Sequence, residues 1–270
     1  MRPWLSLFTV MLTLGFIASC NNNKPGATKG AANNAPEVEQ SPPATVASPE
    51  PELDTPQVHD PAHPPIDCPL RKQGLNPGHL RPFDDVEKYI AFLERADRAI
   101  WQKPDEVVAA LALTGSETVV DLGAGSGYFT FRLAQALPVG KLIAADTEPE
   151  MVRHIHHKAM TDGLQNVEAT LIEPEDPEIP GDADVIFICD VLHHVPDRAP
   201  WLRRVVMKMQ TGARLVLIEF KEGNLPEGPP ESMKIPRDKL VQLATDAGLD
   251  FASERADLLP YQTFLVFRKP

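Results

Sequence analysis

Val120-Asp121-Leu122-Gly123-Ala124-Gly125-Ser126-Gly127-Tyr128-Phe129 places three glycines at alternate positions between an apolar strand-like run and a segment of helical spacing. Without a β-carbon, a loop of this kind lets the backbone pass close beneath a ligand where a side chain would collide. Asp121 stands at the end of the strand, where a carboxylate suits a ligand bearing a cationic amino group or N–H donors and repels phosphates. A dinucleotide loop wants Gly-x-Gly-x-x-Gly with no acid crowding the pyrophosphate. The spacing here is Gly-x-Gly-x-Gly, with Asp121 two residues before the first glycine, which disfavours an NAD-dependent oxidoreductase.

Outward from this loop the pattern alternates. Helices are expected over Asp84 to Ile100, with Val86, Tyr89, Ile90, Leu93 and Ile100 at helical spacing, and from Pro104 to Leu113. Thr118 to Leu122 is a strand, Tyr128 to Leu137 a helix, Lys141 to Asp146 a strand, Glu150 to Asp162 a helix and Val167 to Ile172 a strand. Ala183 to Cys189 and Arg214 to Phe220 are strands around a helix over Ala199 to Met209. Pro236 to Ala247 is a helix, and strands near Asp250 to Arg255 and Thr263 to Arg268 close the pattern with an antiparallel look. Strands alternating with helices imply an α/β fold, a mainly parallel sheet with helices on both faces.

Asp146 ends its strand 19 residues after Gly127, where a carboxylate can accept hydrogen bonds from both hydroxyls of a ribose. At the end of the third strand, Glu173 and Asp176 are candidates to receive an adenine amino group, with Glu173 favoured. With these residues in place the sequence resembles the class I S-adenosylmethionine-dependent methyltransferases, in particular the type-11 branch, over most of residues 83–270. The resemblance implies a Rossmann-like fold with seven strands in the order 3-2-1-4-5-7-6 and S-adenosyl-L-methionine as cofactor. It implies that Asp121, Gly123, Ala124, Gly125 and Gly127 hold the methionine part, that Asp146 holds the ribose with Thr147 beside it in the cofactor-binding set, and that Glu173 contacts adenine. Cys189-Asp190-Val191-Leu192-His193-His194-Val195 resembles the segment that faces the transferred methyl.

Asp190 is therefore a candidate for both cofactor binding and catalysis, although it can equally cap the turn below the sheet. His193 and His194 are candidate general bases or simply packing residues. Methyl transfer from a sulfonium is an in-line displacement, so much of the catalysis is positional, and a base is needed only for a protonated acceptor. Trp101 is either a core residue or part of a lid. Glu219 to Pro230 is expected to be loop-like and to border the acceptor pocket. His154, His156 and His157 lack a carboxylate or cysteine at metal-ligand spacing and read as a solvated helix face; no metal is expected there or among His59, His63, Cys68 and His79. The acceptor is expected to be a small molecule, its identity not readable. A rival function is a non-catalytic, lipid-anchored binding protein built on the same fold.

The remainder of the 270-residue chain reads differently. Met1 to Cys20 carries Arg2, an apolar run from Leu5 to Ile17 and Ala18-Ser19-Cys20. This resembles a bacterial lipoprotein signal, implying lipidation of Cys20 and a membrane-anchored location in the cell envelope, with a cytoplasmic location as the alternative if the signal is unprocessed. Residues 21–82 hold 13 of the 28 prolines and read as a mostly disordered linker, leaving 83–270 as the domain. The net charge of −12 argues against a nucleic-acid partner, which needs clustered Lys and Arg. Cys68 and Cys189 read as a linker thiol and a buried strand thiol, with no disulfide framework.

Overall fold

The computed structural model describes residues 69–74 and 83–270. The expected signal segment, with Cys20, and most of the expected linker, with Cys68, lie outside the described residues. Helices α1 (Pro69–Lys72), α2 (Phe83–Leu93), α3 (Arg98–Gln102) and α4 (Pro104–Ala110) precede strand β1 (Thr118–Leu122). Then come α5 (Thr130–Gln135), β2 (Lys141–Asp146), α6 (Pro149–Thr161), β3 (Val167–Leu171), β4 (Val185–Cys189), α7 (Arg198–Lys208), β5 (Arg214–Phe220), α8 (Arg237–Asp246), β6 (Asp250–Glu254) and β7 (Gln262–Arg268).

The strands form one sheet in the order β3-β2-β1-β4-β5-β7-β6. The first five are parallel, while β7 runs antiparallel to both β5 and β6. Parallel strands covered on both faces need apolar residues at consecutive positions. That is what Val-Ile-Phe-Ile in β4 and Leu-Val-Leu-Ile in β5 provide. Alternate residues of the same strands serve opposite faces. Val120, Leu122, Ile186, Ile188 and Leu217 pack with Trp201, Leu202 and Val205 of α7 and Leu240 of α8. Val119, Phe187, Val216 and Ile218 pack with Val107, Leu111, Phe129 and Leu133. The strand order reverses between β1 and β4, so the chain leaves their carboxyl ends in opposite directions and opens a crevice there.

Three expectations need correction. The single helix expected from Asp84 to Ile100 is two, α2 and α3, separated by a turn at Glu94–Asp97. The break turns Ile100 outward, where it is 77% exposed, and α3 ends at Lys103 in the left-handed region (φ 43°) before Pro104 starts α4. Within the segment 21–82, expected to be mostly disordered, residues 69–74 are ordered around α1, whose Leu70 is fully buried and whose neighbouring Gln73 donates Nε2–H to the Leu171 carbonyl at 2.9 Å. The third correction concerns α6. Its histidines are not a solvated face: His157 is buried and His154 and His156 are half-buried, and burial holds His154 below its ordinary value, helped by the charge of Lys158.

Phe187 is fully buried and meets the edge of Phe129 at a centroid distance of 5.1 Å. Phe187→Ala is expected to cost about 3–5 kcal/mol of stability in denaturant titration. Val139→Ala, at a position 81% exposed, is expected to change it by less than about 0.5 kcal/mol.

Candidate functional site

A cavity of about 830 Å3 sits over the carboxyl ends of the parallel strands, beneath α2 and α3 and beside Glu227, Gly228 and Pro229. Its floor is the glycine loop. Gly123 and Ala124 donate their N–H groups to the Ala145 carbonyl at 2.8 and 3.1 Å, tying the loop after β1 to the end of β2. All three glycines have positive φ, but they differ in what surrounds them. A β-carbon at Gly123 would fall 2.3 Å from Val191 Cγ2, and one at Gly127 would fall 2.6 Å from the Phe131 ring. At Gly125 the nearest atom would be Leu93 Cδ1 at 3.8 Å. Gly123 and Gly127 are thus required by packing, whereas Gly125 keeps a wall of the cavity low.

Asp146 closes the second side. Its Oδ2 accepts from Gly125 N at 2.7 Å and its Oδ1 from Glu148 N at 2.9 Å. A carboxylate has about four acceptor sites, so each oxygen keeps capacity for a ligand hydroxyl. Thr147 and Glu148 line the cavity next to it. Asp121 is buried beneath the loop and accepts from Thr130 Oγ1 at 2.6 Å. Burial pushes its carboxyl up to about 7, against the Thr130 hydrogen bond and with the negative charge of Asp146 adding to the rise.

At the end of β3 the expected adenine contact is not where it was placed. Glu173 is exposed and outside the cavity wall, which is formed there by Ile172, Pro174 and Glu175. Asp176 pairs with Lys208 at 2.8 Å. The chain turns at Pro174, whose carbonyl accepts from Trp201 Nε1 at 2.9 Å, and that turn carries the Glu173 side chain away.

The end of β4 gathers the other candidates. Asp190 has φ 61°, a left-handed conformation uncommon outside glycine and asparagine. It caps no helix; Gln102 Nε2 of α3 donates to its Oδ2 at 2.9 Å and Gln262 Nε2 of β7 to its Oδ1 at 2.6 Å. Burial, then the charge of Glu219, raises its carboxyl to about 6, with Arg98 acting in the opposite direction. His193 is buried in the short 3-10 turn Leu192–His194, and its Nδ1 lies 2.7 Å from Glu219 Oε2. The same carboxylate accepts from Leu192 N at 2.6 Å through Oε1. Burial alone would lower the His193 imidazole; the hydrogen bond and charge of Glu219 outweigh it, and the net shift is upward. His194 is exposed, stacks on His193 at 4.2 Å between centroids, and is shifted downward by burial and the His193 charge. Trp101 is a core residue, buried against Phe220 (5.6 Å) and Tyr261 (6.2 Å), and it also lines the cavity.

Gln102, Gln262 and Arg98 escaped the sequence reading, and Glu219, expected within a loop bordering the acceptor pocket, is instead a buried residue of β5. Glu219 left a signal, being the only charged residue inside the apolar run Leu215–Phe220. A carboxylate buried in a central strand requires a partner. The glutamines gave none, because nothing local distinguishes an amide that reaches Asp190 from one facing water.

A family model described as a methyltransferase domain matches residues 120–215. The chain is 31% identical over 129 residues to a trans-aconitate 2-methyltransferase of Rhodococcus jostii, covering 48% of this chain and 46% of the relative, so it spans about half the length of that protein. It is 28% identical over 174 residues to a tRNA U34 carboxymethyltransferase of Marinobacter nauticus, covering 63% and 49%. Among solved structures, a SAM-dependent methyltransferase from Aquifex aeolicus superposes with a TM-score of 0.62 at 24% identity, covering 67% of this chain and 96% of that one. The Rossmann-like methyltransferase fold, with its strand order, is thereby established.

The residues fit S-adenosyl-L-methionine. The open position at Gly125, the remaining acceptor capacity of Asp146 and the acids Asp121 and Asp190 suit a cationic sulfonium with a ribose, and they oppose a pyrophosphate. Two substitutions in one loop separate packing from binding. Gly125→Ala is expected to cost about 1–2 kcal/mol for its positive φ yet fold, with calorimetry showing weakened S-adenosylhomocysteine binding. Gly123→Ala is expected to destabilise the protein further in thermal melts, since Val191 must move.

Asp121 gives a second test. Its folded-state pKa lies above the unfolded value, so between the ordinary carboxyl value of 3.8 and about 7 the folded state holds more protons and stability falls as pH rises. Asp121→Asn is expected to raise the stability of the ligand-free protein above about pH 7 and to flatten this pH dependence in denaturant titrations. A variant with the wild-type slope would place the acid's ionisation elsewhere.

Proposed function

We propose that this chain transfers a methyl group from S-adenosyl-L-methionine to a small-molecule acceptor. The observation that carries this reading is the glycine loop opened at Gly125 and bounded by Asp121, Asp146 and Asp190. When bound, the cofactor supplies an electrophilic methyl on a sulfonium. The chain's own residues then have three tasks: holding the two ligands in line, excluding water and taking a proton from an acceptor that carries one.

The His193–Glu219 pair is suited to the third task. A carboxylate against Nδ1 fixes the imidazole with its proton on Nδ1, leaves Nε2 free to accept, and stabilises the imidazolium that forms. The walls nearest to this pair favour a hydroxyl on an apolar body. Trp101 and Phe220 are aromatic, while Asp190 and Glu219 add negative charge that opposes a polyanion. Trans-aconitate, for which a relative is named, and a tRNA are therefore less well matched than a neutral hydroxyl compound; the net charge of −12 weighs in the same direction.

Wild-type protein is expected to bind S-adenosylhomocysteine in preference to NAD by calorimetry. NAD binding without S-adenosylhomocysteine heat would replace this reading by an oxidoreductase, and cofactor binding without methyl transfer to any member of an acceptor panel would favour the non-catalytic binding protein. With a hydroxyl acceptor, turnover should rise with pH through a pKa above 6.5, the ordinary value from which His193 is raised. Glu219→Gln should lower both the rate and that pKa, by removing the charge that holds the proton on the ring. An unshifted limb would exclude His193 as the base.

We further propose that the domain is anchored to a membrane of the cell envelope by lipid on Cys20. The support is the apolar run Leu5 to Ile17 followed by Ala18-Ser19-Cys20 and polar Asn21-Asn22-Asn23-Lys24. Two or more acyl chains make release slow, whereas an acidic domain gains nothing from charge at an anionic surface. Labelled palmitate should be incorporated by the wild type and not by Cys20→Ala, which should fractionate as soluble; an unprocessed, soluble wild type would mean a cytoplasmic enzyme.

A further inference from the structure

The capping helices contribute one cation to the glycine-loop side of the cavity, and nothing in the reaction described above employs it. Of the three arginines that line the cavity, Arg95 is bound to Glu227 and Asp97. Arg204 lies at the far end, donating to the Glu175 carbonyl beyond β3. Arg98, from α3, forms no ion pair among the described residues. Its Nε donates to Gln102 Oε1 and its Nη1 to the Leu93 carbonyl at 2.6 Å, and its guanidinium lies 4.1 Å from the centroid of Tyr128, the residue that follows Gly127. These three contacts fix the group in place but leave several of its five N–H donors unused. It lines the same cavity as Asp121 and Asp190, and its charge lowers the carboxyl pKa of both.

One fixed guanidinium in a cavity also lined by Asp121 and Asp190 matches a zwitterion, not a phosphate. We infer that Arg98 receives the α-carboxylate of the cofactor's amino-acid end, while the acids face its ammonium group, so that α3 is part of the cofactor site. The inference rests on the methyltransferase reading above. It has a structural corollary. Gln102 joins Arg98 to Asp190 through Oε1 and Nε2, so a carboxylate seated on Arg98 holds α3 over the strand ends and steadies the residue next to the acceptor.

The test uses calorimetry on the full chain with two probes, S-adenosylhomocysteine and its decarboxylated analogue, which keeps the amine and the nucleoside. Charge-assisted hydrogen bonds are worth about 1.5–3 kcal/mol each, so Arg98→Gln is expected to weaken S-adenosylhomocysteine binding by about tenfold or more. It should leave binding of the decarboxylated analogue nearly unchanged, and Arg98→Lys should recover part of the loss. Equal weakening of both probes would make Arg98 a structural residue, and unchanged S-adenosylhomocysteine binding would place the carboxylate elsewhere; either result overturns the inference while leaving the methyltransferase reading standing. A wild-type chain that binds neither probe would remove both.

Discussion

The hydrogen bonds that fasten the glycine loop to the end of β2 are the constraint on which the site depends. Gly123 and Ala124 hold the Ala145 carbonyl, and Gly125 donates to Asp146, so the loop and the second-strand acid cannot move independently. Parallel pairing of β1 with both β2 and β4 puts Asp121, Asp146 and Asp190 at one edge of the sheet. The two constraints together convert a crevice that any sheet of this topology has into one with a defined floor and a defined charge.

That charge is held at some cost. Carboxylates taken out of water favour their neutral forms unless they are paired, and the upward shifts of Asp121 and Asp190 have burial as their largest cause. Among the described residues neither acid is matched by an ion pair; each is steadied by uncharged donors, Thr130 for one and two glutamines for the other. A cavity built this way is poised toward cations. The His193–Glu219 pair is the exception, since there the buried acid has a titratable partner in contact.

The sheet was legible in the sequence because its signal is local. Each of β1, β2, β4 and β5 is a short apolar run bounded by turn residues, and the glycine loop states its own geometry. Asp121, Asp146, Asp190 and the two histidines were legible for the same reason, lying within a few residues of strand ends. What escaped depends on contacts distant in sequence. Gln102 and Gln262 meet Asp190 from opposite ends of the domain. The short helix α1, whose Leu70 packs on α6, was concealed by a proline-rich composition. Glu173 was misplaced by a backbone turn at Pro174 that spacing does not encode. The continuous helical spacing from Asp84 to Ile100 concealed a break, and the turn at Glu94–Asp97 is what brings Arg98 over the loop.

The antiparallel strand β7 lies between β5 and β6 in the sheet although it follows both in the chain. On a ribosome, β1 to β5 emerge first and can pair successively, but β5 keeps a bare edge until residues 262–268 arrive. Gln262, the first residue of β7, is also one of the two amides that hold Asp190. Completion of the sheet and completion of the pocket are therefore a single late event in biosynthesis. A partly emerged chain carries the glycine loop without a finished reaction chamber, which makes vectorial synthesis itself a timer on when the domain can begin to act.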